Sequence, residues 1–312
     1  MIREFAINPQ LVENGYHFFK IFLDHFCFQN GRMISRLPKK WEKAVIKAAR
    51  DSDELKDREI ARLVEKLKEL KSTSFALDQR NWDTSKTWDE NANLENARQP
   101  FQAILSSSKS TFCSANAIGI EDFDMNHPLL KANNPFDVPR SNEGLLNAIK
   151  PMLKLTTSLT YIDPWFNLVK STYVDPLVQI LKFLSSHGKS TVKVTIHAKF
   201  DVIFDLSVLE ANFSRIFDFR IPEGVTFEIY EWSEQTFQGE DLHNRFLLMD
   251  YGGLTSGAGF EAVGGHQSDT ITLFDRAFAE DKRSQFVPEN KVFVLKQGPL
   301  FVDHTGSVSL NP

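Results

Sequence analysis

The chain has 312 residues, of which 42% are apolar and 25% are charged, a composition typical of folded globular proteins with one or two domains. It contains no apolar run long enough to span a bilayer, and its first residues lack the pattern of a secretory signal. We therefore expect a cytoplasmic protein without a transmembrane segment. The two cysteines, Cys27 and Cys113, have no Cys or His partner at metal-ligand spacing, which predicts free thiols and neither a metal nor another cofactor.

The net charge of −5 is unevenly distributed. Residues 1–72 hold 15 Lys and Arg against 11 Asp and Glu, whereas the remainder holds 21 against 30. A chain that is acidic overall binds nucleic acid poorly through general attraction, so any contact with a polyanion must be local.

Apolar residues recur at helical spacing over 9–27, 38–50 and 53–71, and a further helix is predicted over 88–105. Residues 1–105 are therefore expected to form an α-helical N-terminal domain. A basic run surrounds the second helix and contains Arg32, Arg36, Lys39, Lys40, Lys43, Lys47 and Arg50. This run could bind a phosphate backbone or an acidic protein partner. We favour the interpretation that it is an ordinary solvated helix face.

The turn-rich residues 106–142 predict a connector. From 143 to 302, short β-rich runs alternate with helical segments, which predicts βαβ units and a mixed, mainly parallel sheet flanked by helices. Residues 303–312 are expected to be a tail. The predicted strands are 159–162, 192–196, 225–230, 245–249, 271–274 and 292–295, and the predicted helices are 145–155, 176–184 and 206–217. The predicted fold class is α/β with an α-helical N-terminal unit, and ligands of such sheets usually bind at strand ends.

The most informative segment is 241–250. Within it, His243 and Arg245 are two residues apart at the start of a predicted strand, so their side chains should share one face. After a Gly252-Gly253 turn comes the run 256–259, Ser-Gly-Ala-Gly, whose backbone N–H groups can approach an anion closely.

This pattern predicts phosphate chemistry. An imidazole can attack phosphorus and form a phosphohistidine, and a guanidinium can hold two phosphate oxygens while charge develops. A carboxylate near the imidazole, from Asp250 or Asp269, can set its tautomer. The candidate catalytic residues are His243, Arg245, Asp250 and Asp269, and the candidate phosphate-binding residues are Arg245, Ser256, Gly257 and Gly259.

The spacing also resembles the HxKx4Dx6GSxN signature of the phospholipase D superfamily. His243 matches the nucleophilic histidine, Arg245 the phosphate-binding lysine, Asp250 the aspartate and Gly257 the glycine. The resemblance implies a phospholipase D-like domain over about half of the chain, with Asp269 near a further polar position of the site.

Two polar positions of the signature differ, because its serine and asparagine are Ala258 and Phe260 here. With Asp163-Pro164 after the first strand, the variant is similar to the phospholipase D-like C-terminal domain of the eukaryotic MIT-domain proteins of cytokinesis. Those domains bind lipids or partners and are not regarded as catalytic. The resemblance therefore implies the fold more strongly than it implies turnover.

Two functions from different classes follow. The first is a nuclease-like phosphodiesterase that works through a phosphohistidine in a homodimer, because the chain has one convincing motif and two His243 side chains would have to face each other. The partial match at His197 and Lys199 is interpreted as a strand end, since Asp205 is one residue out of register. The alternative is a non-catalytic module that binds a phosphate on a lipid, nucleic acid or protein. The organisation also resembles bacterial proteins of phage-defence gene neighbourhoods, which fits either function.

Overall fold

A computed structural model describes residues 2–70, 74–76, 80–112, 114–131, 135–199, 212–213, 215–217, 220–236 and 242–309. The chain divides into two compact units, Met1–Asn133 and Asn134–Pro312. Among the described helices, none is both long and apolar enough to cross a membrane.

The first unit is built on a four-stranded, fully parallel sheet in the order β2-β1-β3-β4. Its strands are β1 (Arg3–Ile7), β2 (Arg32–Ile34), β3 (Ala103–Ser106) and β4 (Ala117–Gly119). Its α-helices are α1 (Tyr16–His25), α2 (Trp41–Asp51), α3 (Asp57–Leu70) and α4 (Trp88–Arg98). Aromatic packing fills the space between sheet and helices, where Phe5, Phe19 and Trp41 are fully buried. The Trp41 Nε1–H also donates to the carbonyl of Ile7 at 2.6 Å, which ties the start of α2 to the end of β1.

The prediction of an α-helical N-terminal domain is therefore wrong. The strands of this unit have only three to five residues, and their apolar residues are consecutive and buried, as in Phe5-Ala6-Ile7. They therefore carry no alternation that would distinguish them from a buried helix segment. The predicted helix 9–27 is divided at Gly15, whose φ of 100° separates the 3-10 helix Pro9–Asn14 from α1. The predicted helix 88–105 ends at Arg98, and its last residues belong to β3.

The second unit contains a nine-stranded sheet in the order β13-β12-β8-β7-β6-β9-β10-β11-β5. The strands are β5 (Phe136–Pro139), β6 (Ser158–Ile162), β7 (Val192–Ala198), β8 (Val225–Thr236), β9 (Phe246–Met249), β10 (Gly252–Ser256), β11 (Ser268–Phe274), β12 (Phe293–Asp303) and β13 (Val308–Ser309). The helices are α5 (Asn142–Leu153), α6 (Ser171–Ser186) and, in chain order among those described in full, α7 (Arg276–Gln285). All six predicted strands of this unit are present, and most of the predicted helix 206–217 lies outside the described residues.

The sheet is mixed, as predicted, but it is not mainly parallel. Only the pairs β6–β7 and β7–β8 are parallel, and the other described pairs are antiparallel. The two-residue turn Asp250-Tyr251 reverses the chain between β9 and β10, and β11 and β12 also run against their neighbours. Alternation of helix and strand along the sequence predicts parallel pairing only where a helix separates the strands.

The predicted connector and tail are part of the sheets. Residues 106–142 contain β4, which belongs to the first sheet, and β5, which pairs with β11 at the edge of the second. Residues 303–309 contain the end of β12 and all of β13. The strands β4, β5 and β13 have only two to four residues each, which is too short for a recognisable strand pattern.

Alternate residues of β9 face two different cores. Leu247 faces the side of α5 and α6 and lies with Tyr161 and Phe260 around a common space. Phe246 and Leu248 belong to the cluster on the α7 side.

Candidate functional site

The candidate residues come together at the edge of the second sheet that is formed by strand ends, where β6 ends and β9 begins. Because β9 runs antiparallel to β6 and Phe246 pairs with Ile162, the residue before β9 and the residue after β6 lie side by side. These residues are Arg245 and Asp163. The N–H of Ser256, the last residue of β10, donates to the carbonyl of Arg245 at 3.3 Å, so the glycine turn follows directly beside them.

The Arg245 guanidinium is held from three directions. Its Nη1 donates to the carbonyl of Gly257, its Nε lies 3.6 Å from Oδ1 of Asp163, and its Cζ lies 4.3 Å from the ring centroid of Trp165. The side chain is 23% exposed. Within the described part of the chain these contacts use Nη1 and Nε, so Nη2 remains for a ligand.

Asp163 is a fully buried carboxylate at this edge. The Trp165 N–H donates to its Oδ1 at 3.0 Å, while Oδ2 has no hydrogen bond to the described residues. Burial raises the pKa of Asp163 to about 6, and the Trp165 N–H and the Arg245 charge offset only part of that effect. The carboxylate is therefore ionised at neutral pH at a free-energy cost.

Gly259 lets the turn approach this pair. Its φ is +83°, and a Cβ built there would lie 2.7 Å from Oδ2 of Asp163 and 2.8 Å from Cδ of Arg245. A residue with a side chain would thus be strained in its backbone and would also push into the carboxylate and the guanidinium.

The glycine turn already binds a carboxylate of the protein itself, that of Asp269. The Ala258 N–H donates to Oδ2 of Asp269 at 3.0 Å, and the Ser256 hydroxyl contacts the same oxygen and the Gly259 carbonyl at 2.7 Å. The structure thus brings Asp269, Ser256 and the turn together, as expected. However, Ser256 is 2% exposed and its hydroxyl holds the turn, so neither this group nor the Ala258 N–H is directed at a ligand.

His243 lies two residues before Arg245 in an exposed turn, and β9 begins only at Phe246. The two-residue alternation applies only within a strand, so β9 by itself does not set the relative direction of the two side chains, and their shared face stays a prediction. The contacts that position Arg245 come from Asp163, Trp165 and Gly257.

Asp250 lies at the opposite end of β9 from Arg245. Its carboxylate accepts from the Thr157 N–H at 2.9 Å, and its own N–H donates to the Thr156 hydroxyl at 3.2 Å. The structure does not bring it to the site. The full length of β9 lies between the two residues, so its contacts fix the start of β6 and cannot orient a group beside Arg245.

Asp163, described above, and three further residues of this edge were not predicted as site residues. Trp165 is 48% exposed and lies under Arg245, and Lys199, after β7, has its Nζ 5.7 Å from the same indole centroid. Arg140, after β5, donates from Nη2 to the carbonyl of Ala258 at 3.3 Å on the other side of the turn. The signals available were the Asp-Pro-Trp run after β6 and the partial motif that contains Lys199.

His197, the other residue of that partial motif, is part of the core. It is 5% exposed, packs among Tyr230, Trp232 and Phe286, and accepts at Nδ1 from the Trp232 Nε1–H at 3.0 Å. Burial lowers the pKa of His197 to about 3, so the ring is neutral at physiological pH. It does not face the site, in agreement with the interpretation as a strand end.

The described residues contain no group of three or more His, Cys, Asp or Glu that could hold a metal ion. The charged groups around the turn are instead close to balance. Arg245, Arg140 and Lys199 bring positive charge, and Asp163, Asp269 and Glu261, which lies 3.6 Å from Arg140, bring negative charge. Such an edge can bind an anion locally while the unit as a whole remains acidic.

The chain matches no protein family and no curated protein. Among solved structures it is similar to the one described as "Structure of TrmBL2, an archaeal chromatin protein, shows a novel mode of DNA binding", at 14% identity with a TM-score of 0.27. The similarity covers 50% of this chain and 52% of that one.

Proposed function

We propose that the second unit is a phospholipase D-like module that binds the phosphate of a phosphodiester through Arg245. The observation that carries the proposal is the position of this guanidinium, fixed at a sheet edge beside a glycine turn and still partly exposed. A guanidinium held in one orientation loses little entropy when it binds two phosphate oxygens.

The surroundings support binding more than turnover. The N–H of Ala258 and the hydroxyl of Ser256, which an anion would need, contact Asp269 instead. The positive charge beside the ligand then comes from Arg245 and Lys199. Binding therefore depends on two side-chain cations at strand ends, and it is expected to weaken steeply with salt.

Hydrolysis through His243 is the second candidate function. The observation in its favour is that His243 is exposed two residues before Arg245. A phosphohistidine mechanism also needs a second acid to protonate the leaving group, and a homodimer with two His243 side chains facing one phosphate would supply it. Nuclease-like activity, and a role in phage defence, would then follow.

One reagent tests both candidates. Bis(4-nitrophenyl) phosphate reports binding by calorimetry and cleavage by the release of 4-nitrophenolate. Because Arg245→Gln alone would leave Asp163 charged, buried and unpaired, the informative variant is Arg245→Gln with Asp163→Asn. We expect about tenfold or greater loss of affinity, as for a charge-assisted hydrogen bond. Arg276→Gln, which removes an exposed Arg paired with Glu280, is the matched control.

The outcomes separate the candidates. Unchanged affinity in the double variant would refute phosphate binding at Arg245. Cleavage that His243→Ala abolishes, in a sample that behaves as a dimer, would favour the phosphodiesterase. Binding without cleavage, unaffected by His243→Ala, would favour the non-catalytic module.

A further inference from the structure

The indole of Trp165 is unusual for an exposed aromatic ring because two cations lie over it. Arg245 Cζ is 4.3 Å and Lys199 Nζ is 5.7 Å from the ring centroid. The backbone of this segment is also fixed, since the Trp165 N–H donates to Asp163 and the Lys199 N–H donates to the Pro164 carbonyl at 3.0 Å. The ring is thus held at the place where the phosphate would bind.

We propose that Trp165 is a stacking platform for a nucleobase, so that the phosphodiester bound at Arg245 belongs to single-stranded nucleic acid. This inference rests on the proposed function. The two cations attract the phosphates on either side of a nucleotide. The base would stack on the part of the indole that these cations leave exposed, in a residue that is 48% exposed.

A double-stranded ligand does not suit this geometry. The bases of a duplex are stacked on one another and are not accessible to a side chain, whereas single strands offer bases that can stack on aromatic rings. Stacking on a ring also requires no hydrogen bonds to base edges, so we expect little sequence preference.

A lipid headgroup is the competing source of the same phosphate. Val169, in the segment that follows Trp165, is 52% exposed and could contact acyl chains. However, Trp165 is packed under Arg245 and Lys199, whereas a ring that inserts into a bilayer must point away from the protein.

The test compares two labelled oligomers by fluorescence anisotropy: a single-stranded thymidine octamer and an abasic deoxyribose phosphate octamer. Both carry the same phosphates, so their affinity ratio isolates the base. We expect the full-length protein to bind the thymidine octamer about tenfold more tightly. Trp165→Ala should bring the ratio of the two affinities close to one, even if loss of the ring under Arg245 weakens the binding of both octamers, while Trp165→Phe should retain most of the preference.

Phe278 provides the matched control, because it is 42% exposed and has Lys282 Nζ 5.1 Å from its ring centroid. It packs against Phe274 on the α7 side of the sheet, so Phe278→Ala should leave the preference unchanged.

These measurements separate failure of the stacking platform from failure of phosphate binding. A base preference that survives Trp165→Ala, with binding still lost in the Arg245 and Asp163 double variant, overturns the stacking platform and leaves phosphate binding in place. If the double variant binds both octamers like the unsubstituted protein, or if that protein binds neither, the proposed function itself fails. Binding to phosphatidylserine vesicles that depends on Trp165, without any base preference, would assign the site to lipid.

Discussion

Replacement of Asp163 by Asn removes a buried carboxylate while preserving its shape. In the folded protein the pKa of Asp163 is about 6, against an ordinary value of 3.8, because burial disfavours the charged form. The native state therefore keeps its proton over a range in which the unfolded chain has lost it. The contribution of this group to stability is complete below about pH 4 and is lost as the pH rises through about 6.

The size of this loss follows from the pKa shift. A difference of about two pKa units corresponds to about 3 kcal/mol in the free energy of unfolding. The difference in stability between Asp163→Asn and the unsubstituted protein should therefore move in favour of the variant by about 3 kcal/mol between about pH 4 and about pH 7.5. Other titrating groups cancel, since both proteins contain them.

Urea denaturation of both proteins across this pH range measures the difference. Asp281→Asn, which removes an exposed carboxylate on α7, controls for the loss of one negative charge and should run parallel to the unsubstituted protein. If the difference in the free energy of unfolding between Asp163→Asn and the unsubstituted protein stays constant with pH, the pKa of the buried carboxylate is the same in the folded and unfolded states. That result would refute the prediction.

Three further outcomes are expected. Gly259→Ala should destabilise the protein more than Gly188→Ala in thermal unfolding, because both glycines have positive φ but only Gly259 has no space for a Cβ. His197→Gln should reduce the loss of stability on acidification, because the low pKa of His197 makes its contribution to stability fall as the pH drops below about 6.5. The Gln carbonyl can still accept from the Trp232 Nε1–H. An unchanged dependence of unfolding free energy on acidic pH would contradict this. Thr87→Ala should cost about 1 kcal/mol in chemical denaturation, because it removes the N-cap of α4 and its capping box.

The strands of the second unit could be predicted because the sequence pattern of each strand lies within a few consecutive residues. Runs such as 192–196 and 225–230 combine β-branched and aromatic residues between turn signals, and the structure has strands at both. The direction of pairing could not be predicted in the same way. Register and direction depend on contacts between segments far apart in the chain, such as Phe246 with Ile162.

The first sheet was missed for a related reason. A strand like Phe5-Ala6-Ile7 is apolar on every residue because both faces of a parallel sheet are covered, so it has no period to recognise. Helix periodicity, by contrast, survives in α2 and α3, and both were predicted to within a few residues.

The site was predicted in part. Arg245, Asp269 and the glycine turn lie together as expected, since the short motif contains most of them within one hairpin. Asp163 and Trp165 join them from about 80 residues earlier through strand pairing. The Asp-Pro-Trp run marks the end of a strand, but it does not report that this strand pairs with β9. The shared face expected for His243 and Arg245 stays a prediction, because β9 begins at Phe246, after both residues.

The edge strand β5 has a consequence for how the second unit can be isolated. It covers β11 with the pairs from Ser268–Pro139 to Ile271–Phe136, and Arg140 continues from it to the Ala258 carbonyl. A fragment that starts at residue 143 would leave the β11 backbone unpaired, and unpaired strand edges recruit other chains. Such a fragment would tend to self-associate and would also lose one support of its glycine turn, so a faithful excision must begin before Phe136.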